Sequence, residues 1–305
     1  KDLATYYGLR VFTDLDGALA EKPDVVFITN PTNQHLSIAL KAARAGCHLF
    51  IEKPLANTEE GVEELICEVE SRKLVAFVGY QLRFHPQLRQ VRAWLSEGSI
   101  GWLQWARLEV GEYLPSWHKY EDYREGYAAR RDLGGGAILT QIHELDYGFS
   151  LFGWPSSVYA VGGHLSRLEI DVEDVATMIV RCQTAARSFP VTVQCDYLQS
   201  PPVRQCTIVG DEGRIHWDLL ANRLARTHRA SARVDLSELP DFQRNELFLD
   251  ELRHFIACLR GEATPLVGLR EASHSLRIAM AAHRSLASGQ VVALAHPGIV
   301  DPSAD

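Results

Sequence analysis

Several features that would declare a function outright are missing from this 305-residue chain. No uninterrupted apolar stretch reaches the roughly 18 residues that a membrane helix needs, which speaks against a membrane partner. No G-x-S-x-G elbow occurs, so a serine-hydrolase site is not indicated. None of the six cysteines, Cys47, Cys67, Cys182, Cys195, Cys206 and Cys258, forms a C-x-x-C pair. Several lie within apolar strand or helix patterns, and buried reduced thiols in a cytoplasmic protein are the expected state. Positive charge is scarce, with 31 Lys plus Arg against 39 acids and a formal charge of -8. That balance opposes nonspecific binding to nucleic-acid phosphates, and no basic, aromatic nucleic-acid surface stands out. Internal repeats, low-complexity stretches and a signal peptide are not seen either.

What remains is a globular composition, 46% hydrophobic and 23% charged, in a chain long enough for two ordinary domains. Val25-Val26-Phe27-Ile28-Thr29 is a short apolar run suited to a buried parallel strand. Helical spacing follows over 34–46, a strand over 48–51, a helix over 57–72 and a strand over 74–78. Alternation of this kind is the βαβ pattern of a doubly wound sheet. Arg10-Val11-Phe12 reads as an earlier short strand or connection. A helix is expected over 87–97 and a strand over 102–110, then an aromatic and charged excursion over 113–133. After a helix over 138–152, strands are expected at 157–163, 174–182, 189–197, 203–209 and 213–218, with a hairpin turn at Gly210-Asp211-Glu212-Gly213. Helices return at 242–260 and 268–288, where Met280 is read as core.

The run Phe50-Ile51-Glu52-Lys53-Pro54-Leu55-Ala56 places a lysine at the carboxyl edge of a strand, where open α/β sheets put their chemistry. There it is either an ordinary loop residue or a group that meets cofactor and substrate. Three other segments bear on the choice: Ile28-Thr29-Asn30-Pro31-Thr32-Asn33-Gln34-His35, Gly79-Tyr80-Gln81-Leu82-Arg83-Phe84-His85-Pro86, and Gly134-Gly135-Gly136 followed by His143-Glu144-Leu145-Asp146. In order and approximate spacing over positions 8 to 290, the chain resembles the Gfo/Idh/MocA oxidoreductases. The resemblance implies NAD or NADP as cofactor, a small carbohydrate or polyol as substrate, and a homodimer or homotetramer. The implied fold is α/β. A Rossmann-like N-terminal domain over 1–84 lacks its opening βαβ segment and is followed by an α+β domain over 85–294 with a large, mostly antiparallel sheet. The final helices pack back on the first domain, and 295–305 forms an irregular tail.

The glycine-rich phosphate turn that normally opens such a domain is not found in the first 60 residues. Compared with the family, the chain is expected to begin about 50 residues late, through incomplete numbering or through truncation. The resemblance makes Lys53 and His143 catalytic. It puts Thr29, Asn30, Pro31, His35, Glu52 and Lys53 on the cofactor side, and Arg83, Tyr113, Trp117, Thr140 and His143 on the substrate side. Glu144 or Asp146 is expected to raise the proton affinity of His143 or fix its tautomer. Arg83 has a second reading as a salt bridge locking the domains. Members of the family commonly carry an aspartate where this chain has Thr140, and threonine cannot be a carboxylate base. That departure leaves a noncatalytic sugar-binding or regulatory protein as the alternative. A metal is not expected, because the spacing of His118, His143, Glu144 and Asp146 carries no specific metal signature.

Overall fold

The computed structural model describes residues 3–118, 120–184 and 187–296. Two short helices come first, α1 (Leu3–Tyr7) and α2 (Leu15–Ala20). The Asp14 carboxylate caps α2 by accepting the Gly17 N–H at 2.7 Å. Residues 10–12 between them are irregular, a connection rather than the short strand that was its alternative. Next come β1 (Val25–Ile28), α3 (His35–Arg44), β2 (His48–Glu52), α4 (Val62–Ser71) and β3 (Ala76–Gly79). α4 starts five residues later than the spacing suggests, because Gly61 holds a left-handed backbone (φ 82°) just before it. β1, β2 and β3 form a three-stranded parallel sheet in that order.

α5 (Pro86–Ser96) leads to β4 (Leu103–Gly111). Among its described residues, the excursion beyond it contains 3-10 turns at Leu114–Ser116, Tyr127–Ala129 and Arg131–Leu133. The single helix expected over 138–152 is two, α6 (Ala137–Thr140) and α7 (His143–Phe152). Then follow β5 (Ser157–Gly163), β6 (Val175–Gln183), β7 (Ser188–Asp196), β8 (Val203–Gly210), β9 (Gly213–Asp218), β10 (Arg223–His228) and β11 (Val234–Glu238). α8 (Asn245–Leu259), α9 (Leu269–Ser288) and β12 (Val292–Ala293) complete the order. Most of the tail expected over 295–305 lies outside the described residues. β10 carries polar side chains on both faces, and β11 alternates only over Val234 to Ser237, too short a run to announce a strand.

The second sheet has nine strands in the order β11-β10-β9-β8-β4-β7-β6-β5-β12. Only β4 and β7 pair in parallel; every other neighbouring pair is antiparallel. α7 and α9 cover one face, while Trp105, Val161 and Ile179 are exposed on the other. In the parallel sheet, Phe27, Phe50 and Phe77 stand in register across the three strands. Phe50 stacks on Phe27 at 5.0 Å and meets Phe255 of α8 edge-on at 5.4 Å. This aromatic layer joins a C-terminal helix to the N-terminal sheet, and burial of the Phe50, Phe77 and Phe255 rings contributes roughly 2–3 kcal/mol each, while Phe27 stays half exposed. All six cysteines are free; Cys67 is exposed and the other five are buried. No helix among the described residues is long and apolar enough to cross a membrane.

Candidate active site

The carboxyl ends of β1 and β2 point to one edge of the parallel sheet. Thr29 and Asn30 lie exposed just past β1, with Pro31 half-buried beside them. His35 is placed differently from expectation. It is 1% exposed, with its ring nitrogens 2.8 Å from the carbonyls of Pro54 and Asn30. Both ring positions are taken by backbone, so His35 braces the loops after β1 and β2 from behind and offers no atom to a cofactor. Burial pushes its pKa down, so the ring is neutral and donates to one of the two carbonyls. Glu52 ends β2 half-buried, and burial pushes its carboxyl up.

Lys53 crosses from this edge to the substrate side. Its Nζ donates to the carbonyl of Thr140 at 2.8 Å, three residues before His143. The break between α6 and α7 makes this possible, since a continuous helix would have used the Thr140 carbonyl internally. The glycine run fixes where α6 begins. A Cβ on Gly135 would lie 2.3 Å from the carbonyl oxygen of Tyr127, and Gly136 holds φ 108° against Glu173. Glu173 in turn accepts the Ile138 N–H at 3.1 Å.

Lys53, Trp117, Thr140, Gln141 and His143 line one cavity of about 260 Å³, together with Glu112, Arg204 and Arg244. Four buried polar atoms on its wall have no hydrogen-bond partner among the described residues: Trp117 Nε1, Thr140 Oγ1, Gln141 Oε1 and His143 Nδ1. Buried polar atoms are normally paired, so a group of orphans around one cavity marks a place for a polar ligand. Gln141 is anchored at its other end, where Nε2 donates to the Asp196 carbonyl at 2.9 Å. Trp117 packs edge-on against Tyr197 at 5.4 Å.

His143 is 4% exposed and packs edge-on against Tyr80 at 5.7 Å. Its pKa is held well below 6.5, first by burial and then by the nearby cations Arg204, Lys53 and Arg244. This corrects the expectation that a neighbouring acid raises it. Glu144 instead accepts from Arg204 Nε and Nη2 at 2.8 and 2.9 Å. Asp146 accepts from Arg83 at 2.6 and 2.9 Å. His143 is therefore a neutral imidazole at pH 7, able to accept a proton.

Arg83 is also corrected. Its side chain is 3% exposed and ties the loop after β3 to Asp146 of α7 and, at 2.9 Å, to Glu271 of α9. The guanidinium is consumed there and does not line the cavity, so the domain-locking alternative describes it. Tyr113 is 39% exposed and likewise lies outside the lining. Arg204 and Arg244 were not anticipated. Arg204 shares the inward phase of its strand with Cys206 and Ile208, so a charge in an otherwise buried alternation was the available signal. Arg244 precedes α8 in an irregular stretch and gave no such sign.

A nicotinamide dinucleotide suits the donor set at this edge. The Asn30 amide, Thr29 hydroxyl, Glu52 carboxyl and Lys53 ammonium are of the types that hold ribose hydroxyls and a carboxamide.

Residues 1–80 match the NAD-binding Rossmann-fold model of the oxidoreductase family, and residues 88–216 match the GFO/IDH/MocA C-terminal domain. The scyllo-inositol 2-dehydrogenase (NAD(+)) of Bacillus subtilis is 26% identical over 308 residues, covering 96% of this chain and 85% of that protein. The WlbA dehydrogenase from Bordetella pertussis, solved with NADH and UDP-GlcNAcA, superposes with a TM-score of 0.78. It is 25% identical, and the match covers 96% of this chain and 86% of that one. Levoglucosan dehydrogenase, solved with NADH and levoglucosan, has the same fold at a TM-score of 0.83 and 20% identity, over 95% of this chain and 85% of that one. With both of its domain models matched in order across the two sheets, the chain belongs to the Gfo/Idh/MocA family of NAD(P)-dependent oxidoreductases.

Proposed function

We propose that this protein exchanges a hydride between NAD(P) and a hydroxyl or ketone carbon of a cyclic sugar or polyol. One observation carries the reading: Lys53, His143 and the unpartnered atoms of Trp117 and Gln141 converge on a single cavity beside the carboxyl edge of the parallel sheet. A polyhydroxylated ring supplies the alternating donors and acceptors those atoms need, and the Trp117 face suits its C–H surface. The names of the relatives support the same substrate class, including an inositol dehydrogenase and a levoglucosan dehydrogenase.

Thr29, Asn30, Glu52 and Lys53 would hold the nicotinamide end of the cofactor, which supplies the hydride chemistry when bound. The protein's own part is positional and protic. His143, neutral at pH 7, takes the hydroxyl proton during oxidation and returns it during reduction. Lys53, anchored on the Thr140 carbonyl, is the cation that stabilises the developing alkoxide. Thr140 contributes a hydroxyl at the cavity wall and a backbone acceptor for Lys53, so the carboxylate that family members place there is replaced by a neutral residue.

The exposed Trp105, Val161 and Ile179 of the large sheet support self-association as a homodimer or homotetramer, which sedimentation over a concentration series tests. Six free thiols suit a reducing compartment, and the cytoplasm is the location this reading assigns.

The decisive test adds NADH and NADPH to the purified protein and then screens cyclic sugars and polyols for turnover. Saturable cofactor binding with turnover is expected. Sugar binding without redox exchange would instead favour a noncatalytic binding protein, and no saturable nicotinamide binding would defeat the oxidoreductase reading.

A further inference from the structure

The catalytic cavity has a neighbour. A second cavity of about 230 Å³ is walled by Leu82, His85, Leu219, Phe242 and Leu247, and it shares Val110, Glu112, Arg204 and Arg244 with the first. Over the linings of both cavities together, the charges do not cancel. Arg204 and Glu144 hold each other in a two-bond pair and are neutral as a unit. Arg244 is exposed, contacts the Phe248 ring at 5.9 Å, and has no carboxylate partner among the described residues. Lys53 Nζ donates to a carbonyl oxygen, and the adjacent Glu52, which lines neither cavity, has its carboxyl pushed up by burial. Against these two cations stands Glu112, which leaves an excess of positive charge in a chain whose net charge is -8.

Other arginines, such as Arg89, Arg181 and Arg260, also have no carboxylate partner among the described residues, but Arg244 is the unpaired one that lines both cavities. Acids outnumber bases, and arginines such as Arg124, Arg130, Arg226 and Arg270 each hold a carboxylate. A neutral sugar would leave the exposed Arg244 guanidinium to water, whereas a carboxylate or phosphate fits its planar donors two at a time.

We propose that the substrate carries an anionic group, a carboxylate or a phosphate, received by Arg244 at the wall between the two cavities while the reacting hydroxyl lies at Lys53 and His143. The assignment rests on the oxidoreductase reading and narrows its substrate class. The second cavity then houses whatever extends beyond the anion, and its Leu, Phe and His walls favour an apolar or flat extension over a second sugar.

The test reads binding separately from turnover. Isothermal titrations, with and without NADH, compare glucose and galactose with glucuronate, galacturonate and glucose 6-phosphate. The acids should bind at least about tenfold more tightly than their neutral parents, and raising NaCl from about 50 to 500 mM should erase most of that margin. Arg244→Ala should abolish the preference, and Arg244→Lys should restore part of it. The uronates and the phosphate ester tell a carboxylate from a phosphate. Equal binding of acids and neutral parents, or a preference surviving in Arg244→Ala, overturns the inference. Turnover of neutral sugars with no margin for acids would sink it while leaving the oxidoreductase reading intact. An Arg244-dependent margin without turnover would do the reverse.

Discussion

At the scale of single residues, the site is organised by what has been taken away from each group. His143 has lost water and gained three cations, so its imidazole stays neutral. The sign of the consequence follows directly. A base with a depressed pKa keeps its proton-accepting form down to pH values below 6.5, so kcat/KM for oxidation should be flat through pH 7 and fall only in more acid solution. Removing Arg244 takes away one depressing cation, and the acid limb should move upward toward 6.5. The same shift bears on stability, because the unfolded chain takes up a proton near pH 6.5 that the folded site refuses; that contribution turns unfavourable as pH drops below 6.5. Lys53 is half-exposed and makes one backbone bond, so Lys53→Ala should lower kcat by about 10²-fold or more with little change in melting temperature. His143→Asn should cost about 10²–10⁴ in rate. A Lys53 variant whose lost activity tracks lost folding, seen by circular dichroism, would remove it from the catalytic role.

Between elements, the parallel sheet and α8 meet through an apolar layer with two acids beside it. Phe255 packs on Phe50 and Phe77, while Glu251, one helical turn earlier, is 2% exposed with Oε1 unpartnered. Burial, and then repulsion from Glu52 at the end of β2, push the Glu251 carboxyl up to about 9. The folded protein thus holds a proton that the unfolded chain, titrating near 4.5, has released. Between those values the folded form binds more protons, so this group weakens the fold as pH rises from about 4.5 to 9. Glu251→Gln removes that dependence. Its melting temperature should match the parent near pH 4.5 and exceed it at pH 8 by several degrees, at about 2–4 °C per kcal/mol. Parallel melting curves for both proteins across this range would show that Glu251 is ionised in the folded state.

For the molecule as a whole, the question is what holds the two sheets in the one arrangement that lets Lys53 reach Thr140. Surface pairs such as Arg270 with Glu70 and Arg284 with Glu59 link α9 to the N-terminal part, but exposed pairs contribute about 1 kcal/mol at most. The buried cluster of Arg83, Asp146, Glu271 and Ser275 joins the loop after β3, α7 and α9. Arg83→Ala strands the Asp146 charge inside and should cost about 3–5 kcal/mol in denaturant unfolding; Arg83→Lys should recover part of it. An Arg83→Ala protein as stable as the parent would show that packing alone fixes the two sheets.

The sequence by itself determined the period of each element and the chemistry at its ends. The alternation of short apolar runs with helical spacing announced the parallel sheet, and the β-rich runs from 157 to 218 announced most of the second. Family resemblance singled out Lys53, His143 and Thr140, which the fold brings to one cavity. Periodicity could not show the break at Gln141-Ile142, because apolar residues run on through both helices and no glycine or proline stands at the interruption. Nor could it find β10 and the edge strand β11, which bury too little to carry a pattern. Tertiary structure alone decided the partners of the charges: Arg83 with Asp146, Arg204 with Glu144, His35 with two carbonyls, and Arg244 with no acid. Those outcomes depend on which groups lie within a few ångströms across 5 to 63 residues of chain, and ion pairing and desolvation are set by that distance rather than by sequence neighbours.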